Sequence, residues 1–256
     1  MFDQLIELDG TGRSWMPRLL RLPRLPGGTL FTPDRCGVLR RHHWNREDCS
    51  LKEARLDPPR ALLTYLVEHP APSIIEGQMS EGTRAKRRAL LEGNREVLAE
   101  ALTLLEQTPI PTKVWYVLEG RTQPDAYLEM DDCIVVVEGK RTEPEPTTHT
   151  MAMAGRHQML RHIDCAWETR GEKPVFGFFV VSGGAEPDDI PVPDEWAEAA
   201  ASTIGEEALS SSLPHRSDTE RSAIASCFLG ATTWQAIRAE FELDWDRLPD
   251  RVGPGG

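Results

Sequence analysis

Residues 124–140 read PDAYLEMDDCIVVVEGK, five acids and one lysine in a stretch whose apolar residues first alternate and then run together, as in β-strands. If Asp131-Asp132 is a two-residue hairpin turn, pairing runs outward from Met130 opposite Cys133 to Asp125 opposite Glu138. Carboxylates so opposed stand roughly 5 Å apart and repel. A hard divalent cation relieves the repulsion, since Mg²⁺ takes carboxylate oxygens, keeps several waters and bridges to phosphate. Lys140, two residues beyond Glu138, falls on the same face. Pro124 suits a strand entry, where its missing N–H costs little, and Gly139 leaves its carbonyl open as a further ligand.

Two acids and one ammonium around a common point fit phosphodiester hydrolysis. Mg²⁺ (or Mn²⁺) on Asp125 and Glu138 would generate the attacking hydroxide and neutralise phosphate charge, while Lys140 would orient the water or stabilise the pentavalent state.

These residues also carry a resemblance. Pro124-Asp125, a gap of twelve residues, and Glu138-Gly139-Lys140 on an apolar strand look like the motif of the PD-(D/E)XK nuclease superfamily, the restriction-endonuclease-like fold. The resemblance spans residues 80–182 and implies a mixed α/β sheet flanked by helices, with a helix-β-β-β-helix-β core. It makes Asp125 and Glu138 metal ligands, Lys140 the catalytic lysine, and nucleic acid, DNA before RNA, the substrate. Members often add an acid from the helix before the first strand. Glu81 and Glu92 are both candidates, and Glu81 is favoured because Glu92 adjoins a helix break. The later helix brings polar groups toward such sites, which makes Gln158 and Arg161 substrate contacts.

The elements that must hold these residues follow from period and punctuation. Helices are expected over 60–67, from a Ser80 cap to Leu91, from an Asn94 cap through Leu105, and over about 20 residues ending at Arg170. Strands are expected at 28–32, 113–119, 126–130, 133–138 and 174–181. A strand, a helix and another apolar strand make a parallel crossover in an otherwise antiparallel meander. Residues 1–75 read as an arm packing on the core, 76–185 as the nuclease-like core, and 186–256 as an acidic helical extension with helices at 194–209 and 218–242. Ser217 and Glu220 match a capping box.

The chain of 256 residues carries a net charge of −12, concentrated in its last quarter, while its first 60 residues are net basic. That balance argues against a simple polyanion binder and suggests a homo-oligomer or protein partner that supplies a basic surface. No apolar run is long enough for a membrane helix, and MFDQLIELDG carries acids in place of a basic leader. Five cysteines without CxxC spacing fit a reducing compartment, so a cytoplasmic protein is expected.

Other motifs carry less. Cys36, His42, His43 and Cys49 lack the tight spacing of a zinc knuckle. RAKRR at 84–88 suits a solvated helix face as well as a phosphate backbone. His157 and His162 read as surface or hydrogen-bonded groups before catalytic bases, and FLGATTWQAIRAEF as a packing helical hairpin before a helix-turn-helix. A non-catalytic binding module on the same scaffold, and a hydrolase of small phosphates, remain as alternatives.

Overall fold

A computed structural model describes residues 1–26, 33–44, 54–143, 145–184, 186 and 188–247. The expected strand at 28–32 and Cys49 lie outside them. Five strands form one mixed sheet in the order β1 (Leu39–Trp44), β2 (Ala126–Met130), β3 (Ile134–Lys140), β4 (Val175–Val181) and β5 (Phe228–Thr233). Helices α1 (Phe2–Leu8) and α2 (Met16–Leu20) precede β1, and α3 (Arg60–Glu68), α4 (Glu81–Leu91) and α5 (Arg95–Leu105) fall between β1 and β2. Helix α6 (Gln158–Thr169) links β3 to β4. Helices α7 (Asp194–Thr203), α8 (Glu206–Ser212) and α9 (Asp218–Ala225) link β4 to β5, and α10 (Trp234–Phe241) follows.

The hairpin forms as the turn chemistry requires. Met130 N–H donates to the Cys133 carbonyl at 2.8 Å, and Ala126 pairs with Val137 through to Glu129 with Ile134. β1–β2 and β2–β3 are antiparallel, whereas β3–β4 and β4–β5 are parallel. β3 and β4 lie inside the sheet, which is why both are unbroken apolar runs. Alternation sends Leu128, Val135, Val137 and Phe178 to a face covered by α1, α2 and α10. It sends Tyr127, Ile134, Val136 and Phe179 to the face covered by α6, α7 and α9. A third apolar cluster joins α3, α4 and α5 to residues 116–118 and 152–153.

Several local expectations hold. Ser80 and Asn94 cap α4 and α5, and Ser217 and Glu220 form both halves of the capping box. Others give way. Residues 113–119 make no strand; β1 takes the place beside β2, because Val114 to Leu118 are spent covering the α3–α5 cluster. The long helix shortens to α6, since residues 147–157 run irregularly up to it.

The two outer segments are not appendages. Leu5, Trp15, Met16, Leu19 and Leu20 fill the core under the sheet, so the first residues are integral to it. Residues 228–233 form a fully buried strand, where an interrupted helix was expected, and this excludes a helix-turn-helix there. Gly230 takes φ +95, with the Arg24 carbonyl occupying the space a Cβ would need.

A buried ionic network ties the C-terminal helices to α6. Arg156 binds Asp164 at 2.8 Å and Glu119 at 3.3 Å, and Arg216 binds Asp164 at 2.9 Å and Glu168 at 2.7 Å. Arg156 and Asp164 are wholly buried, and such a cluster holds only while every member stays paired. Among the described residues, no helix is long and apolar enough to cross a membrane.

Candidate active site

The hairpin register continues one step past its last ladder pair to Asp125 and Glu138, which share the α6 face of the sheet. Alternation returns Lys140 to that face, and α6 presents Gln158 and His162, one helical turn apart, against it. Glu138 is the centre. Gln158 Nε2 donates to its Oε1 at 2.5 Å, Lys140 Nζ lies 3.3 Å from the same oxygen, and His162 Nε2 lies 3.1 Å from Oε2. Three of roughly four acceptor positions on the carboxylate are thereby occupied, leaving one.

Asp125 is held differently. Its Oδ2 accepts from the Gly139 backbone N–H at 2.7 Å. Gly139 falls opposite Pro124 when the register is extended, and proline offers the ladder no N–H. The Gly139 carbonyl thus lacks its usual cross-strand donor and suits a cation. A Cβ on Gly139 would meet the Trp234 ring at 3.0 Å and Asp125 Oδ2 at 3.3 Å, so any side chain there must displace one of them by a few tenths of an ångström.

The two acids separate electrostatically. Burial, followed by the charge of Glu138, pushes the Asp125 carboxyl up to about 6, against the pull of the Gly139 N–H, Lys140 and His162. Burial also opposes ionisation of Glu138, but His162 and Lys140 outweigh it and hold that carboxyl below its ordinary value. One acid is firmly ionised; the other is poised near neutrality.

Asp125, Glu138, Gly139, Lys140 and Gln158 therefore converge. Three other candidates, Glu81, Glu92 and Arg161, do not join them. The Glu81 side chain is 93% exposed and pairs with Arg84 at 3.8 Å, because α4 packs into the α3–α5 cluster and not onto the sheet. Glu92 caps the far end of the same helix and is exposed. Arg161 turns to Glu119 at 3.3 Å and to the Gly120 carbonyl at 2.8 Å.

His162, expected as a surface or hydrogen-bonded group, is buried and hydrogen-bonded at the centre of this cluster. Its Nδ1 lies 2.7 Å from the Thr122 hydroxyl, so the imidazole bridges Thr122 to Glu138. Its spacing of four residues from Gln158 was the available signal; Thr122 offered none. His157 bonds Thr203 at 3.2 Å, as a hydrogen-bonded group should. Cys36 is buried in the same core cluster as Cys133, while His42 stacks on Trp44 and His43 accepts from Arg41, so these do not gather as zinc ligands. In RAKRR, Arg84 and Arg87 donate to backbone carbonyls and Lys86 pairs with Glu100, which leaves Arg88 as the exposed charge.

Among the described residues, no group of three or more His, Cys, Asp or Glu side chains is placed to hold a metal ion. Two carboxylates and a carbonyl still suit Mg²⁺, which keeps waters and takes substrate oxygens to complete its shell. Burial and the charge of Glu138 together lift Asp125 to about 6, and a cation would offset both. No family model, curated protein or solved structure matches the chain.

Proposed function

We propose that the protein is a divalent-metal-dependent phosphodiesterase acting on nucleic acid, built on a restriction-endonuclease-like fold. The observation that carries this reading is the convergence of Asp125, Glu138 and Lys140 at one sheet end, with Asp125 raised by burial and by its neighbour's charge. The order of an antiparallel meander, a helix and a parallel strand supports the fold assignment.

Asp125, Glu138 and the Gly139 carbonyl would hold Mg²⁺ or Mn²⁺. When bound, the ion lowers the pKa of water and offsets the charge of the phosphate. The protein's own groups do the rest. Lys140, fixed by Glu138, donates toward the water or to the phosphoryl oxygens that carry the developing charge. Gln158 Oε1, buried without a protein donor, accepts from water or substrate. His162 holds the Glu138 carboxylate in place. Water oxygen forms the new bond to phosphorus and gives up a proton to solvent, and as the P–O bond to the sugar breaks, the departing oxygen takes a proton from solvent.

A second reading, a binding module on the same scaffold, is favoured by one observation: Glu138 is already satisfied by His162, Gln158 and Lys140 without a cation. Calorimetric titration with Mn²⁺ separates the two. The phosphodiesterase reading predicts one site in the wild type, weakened at least tenfold in Asp125→Asn and in Glu138→Gln. Equal heats in all three proteins would favour the binding module.

A further inference from the structure

β1 is the free edge of the sheet: among the described strands it pairs with β2 alone. Its sequence LRRHHW sets four basic-type residues in a row, in a chain of net charge −12. Arg40 is spent on Asp131 at 2.5 Å, and His42 stacks on Trp44 with ring centroids 4.5 Å apart. Arg41 and His43 stand opposite Glu129 and Tyr127, on the sheet face that carries Asp125, Glu138 and Lys140.

Among the described residues, no acid cancels the charge of Arg41. Its guanidinium lies 5.8 Å over the Tyr127 ring, and its Nε donates to His43 Nε2 at 3.0 Å. Glu129, across the ladder, is taken by Lys173 at 2.8 Å, and no carboxylate among the described residues pairs with Arg41. An imidazole that accepts at Nε2 carries its proton on Nδ1 and donates from there. Arg41 and His43 thus offer a cation and a neutral donor side by side.

Their spacing suits one ligand chemistry. Tyr127 is two residues, about 7 Å, along the strand from Asp125, a step close to that between successive phosphates. Along the strand direction His43 lies one such step from the level of the carboxylates and Arg41 two, with β1 one strand over from Asp125 and two from Glu138.

We infer that β1 guides the backbone of a polynucleotide strand to the site, with His43 and Arg41 contacting the two phosphates next to the scissile one. This rests on the nucleic-acid reading of the site. It also accounts for how an acidic protein meets a polyanion: contact follows one basic edge.

Anisotropy of fluorescein-labelled oligonucleotides, DNA and RNA, single-stranded and annealed, tests the inference with Ca²⁺ in place of Mg²⁺, so that binding is read without turnover. Arg41→Gln should weaken binding about tenfold and lower the slope of log K against log salt by about 0.7 on a single strand or 0.9 on a duplex. His43→Gln should weaken binding without changing the slope, and Arg88→Gln on α4 should change neither. Wild-type binding by Arg41→Gln overturns the inference. Aggregation of that variant would then assign the basic residues to guarding an exposed edge. Metal-dependent cleavage with Arg41→Gln binding unaltered sinks the inference alone, whereas Arg41-dependent binding without cleavage sinks the catalytic reading alone. Failure of the wild type to bind any oligonucleotide sinks the inference.

Discussion

His162 Nε2 lies 3.1 Å from Glu138 Oε2, and both side chains are buried. The hydroxyl of Thr122, 2.7 Å from Nδ1, fixes the other side of the ring. A group that orients a metal-binding carboxylate typically accounts for 10- to 100-fold in affinity. His162→Phe removes the donor and should weaken Mn²⁺ binding by about that factor, while His162→Gln, which can still donate, should recover most of it. Calorimetry on variants whose circular dichroism matches the wild type checks this; equal affinity for His162→Phe would assign the residue to packing.

Asp125 sets a pH dependence whose direction is fixed. Its carboxyl is raised to about 6 in the fold from an ordinary value near 4, so the folded state favours the neutral form. The cost of ionisation is absent below about pH 4, grows between 4 and 6, and is complete above 6. Asp125→Asn should therefore stabilise the metal-free protein by about 1–3 kcal/mol at pH 7.5 and by little at pH 4. Urea denaturation at the two pH values reads the difference; stabilisation that does not change with pH would mean that Asp125 is not strained by its neighbours. Mn²⁺ should raise the melting temperature above pH 6 and lose that effect below it.

Much of this site is legible in the sequence because strand alternation and a two-residue turn are strict rules. Asp131-Asp132 sets the register, and the register brings Asp125 to Glu138. Helix caps at Ser80, Asn94 and Ser217 are legible for the same local reason. What sequence does not carry is distant pairing. LRRHHW has no apolar alternation, so its place as β1 depends on β2, more than 80 residues away. FLGATT looks like a helix interrupted by glycine because Gly230 serves a contact with Arg24, not a break. Family precedent points to an acid such as Glu81 on the helix before the first strand, but here that helix packs elsewhere.

Gly139 is the tightest point of the site. A methyl group there must push either Trp234, at 3.0 Å, or Asp125 Oδ2, at 3.3 Å. Gly139→Ala should cost about 1–3 kcal/mol of stability and weaken Mn²⁺ binding more than a remote substitution of equal stability cost. Loss of stability with unchanged metal affinity would show that the ring yields and Asp125 does not.

The buried network predicts a structural effect away from the site. Asp164→Ala leaves Arg156 and Arg216 facing each other without their shared carboxylate, at a cost of about 3–5 kcal/mol. Denaturation at pH 7 measures it; a cost below about 1 kcal/mol would mean that water or rearrangement supplies new partners.

The central claim is tested most directly by cleavage of a panel of plasmid, linear duplex, single-stranded DNA and RNA with Mg²⁺ or Mn²⁺, comparing the wild type with Asp125→Asn and Lys140→Ala. The account predicts cutting that EDTA abolishes and that both variants reduce at least 100-fold while still binding the substrate. Cutting that survives in both variants, or a wild type that binds metal and polynucleotide together yet leaves every substrate intact, would contradict it.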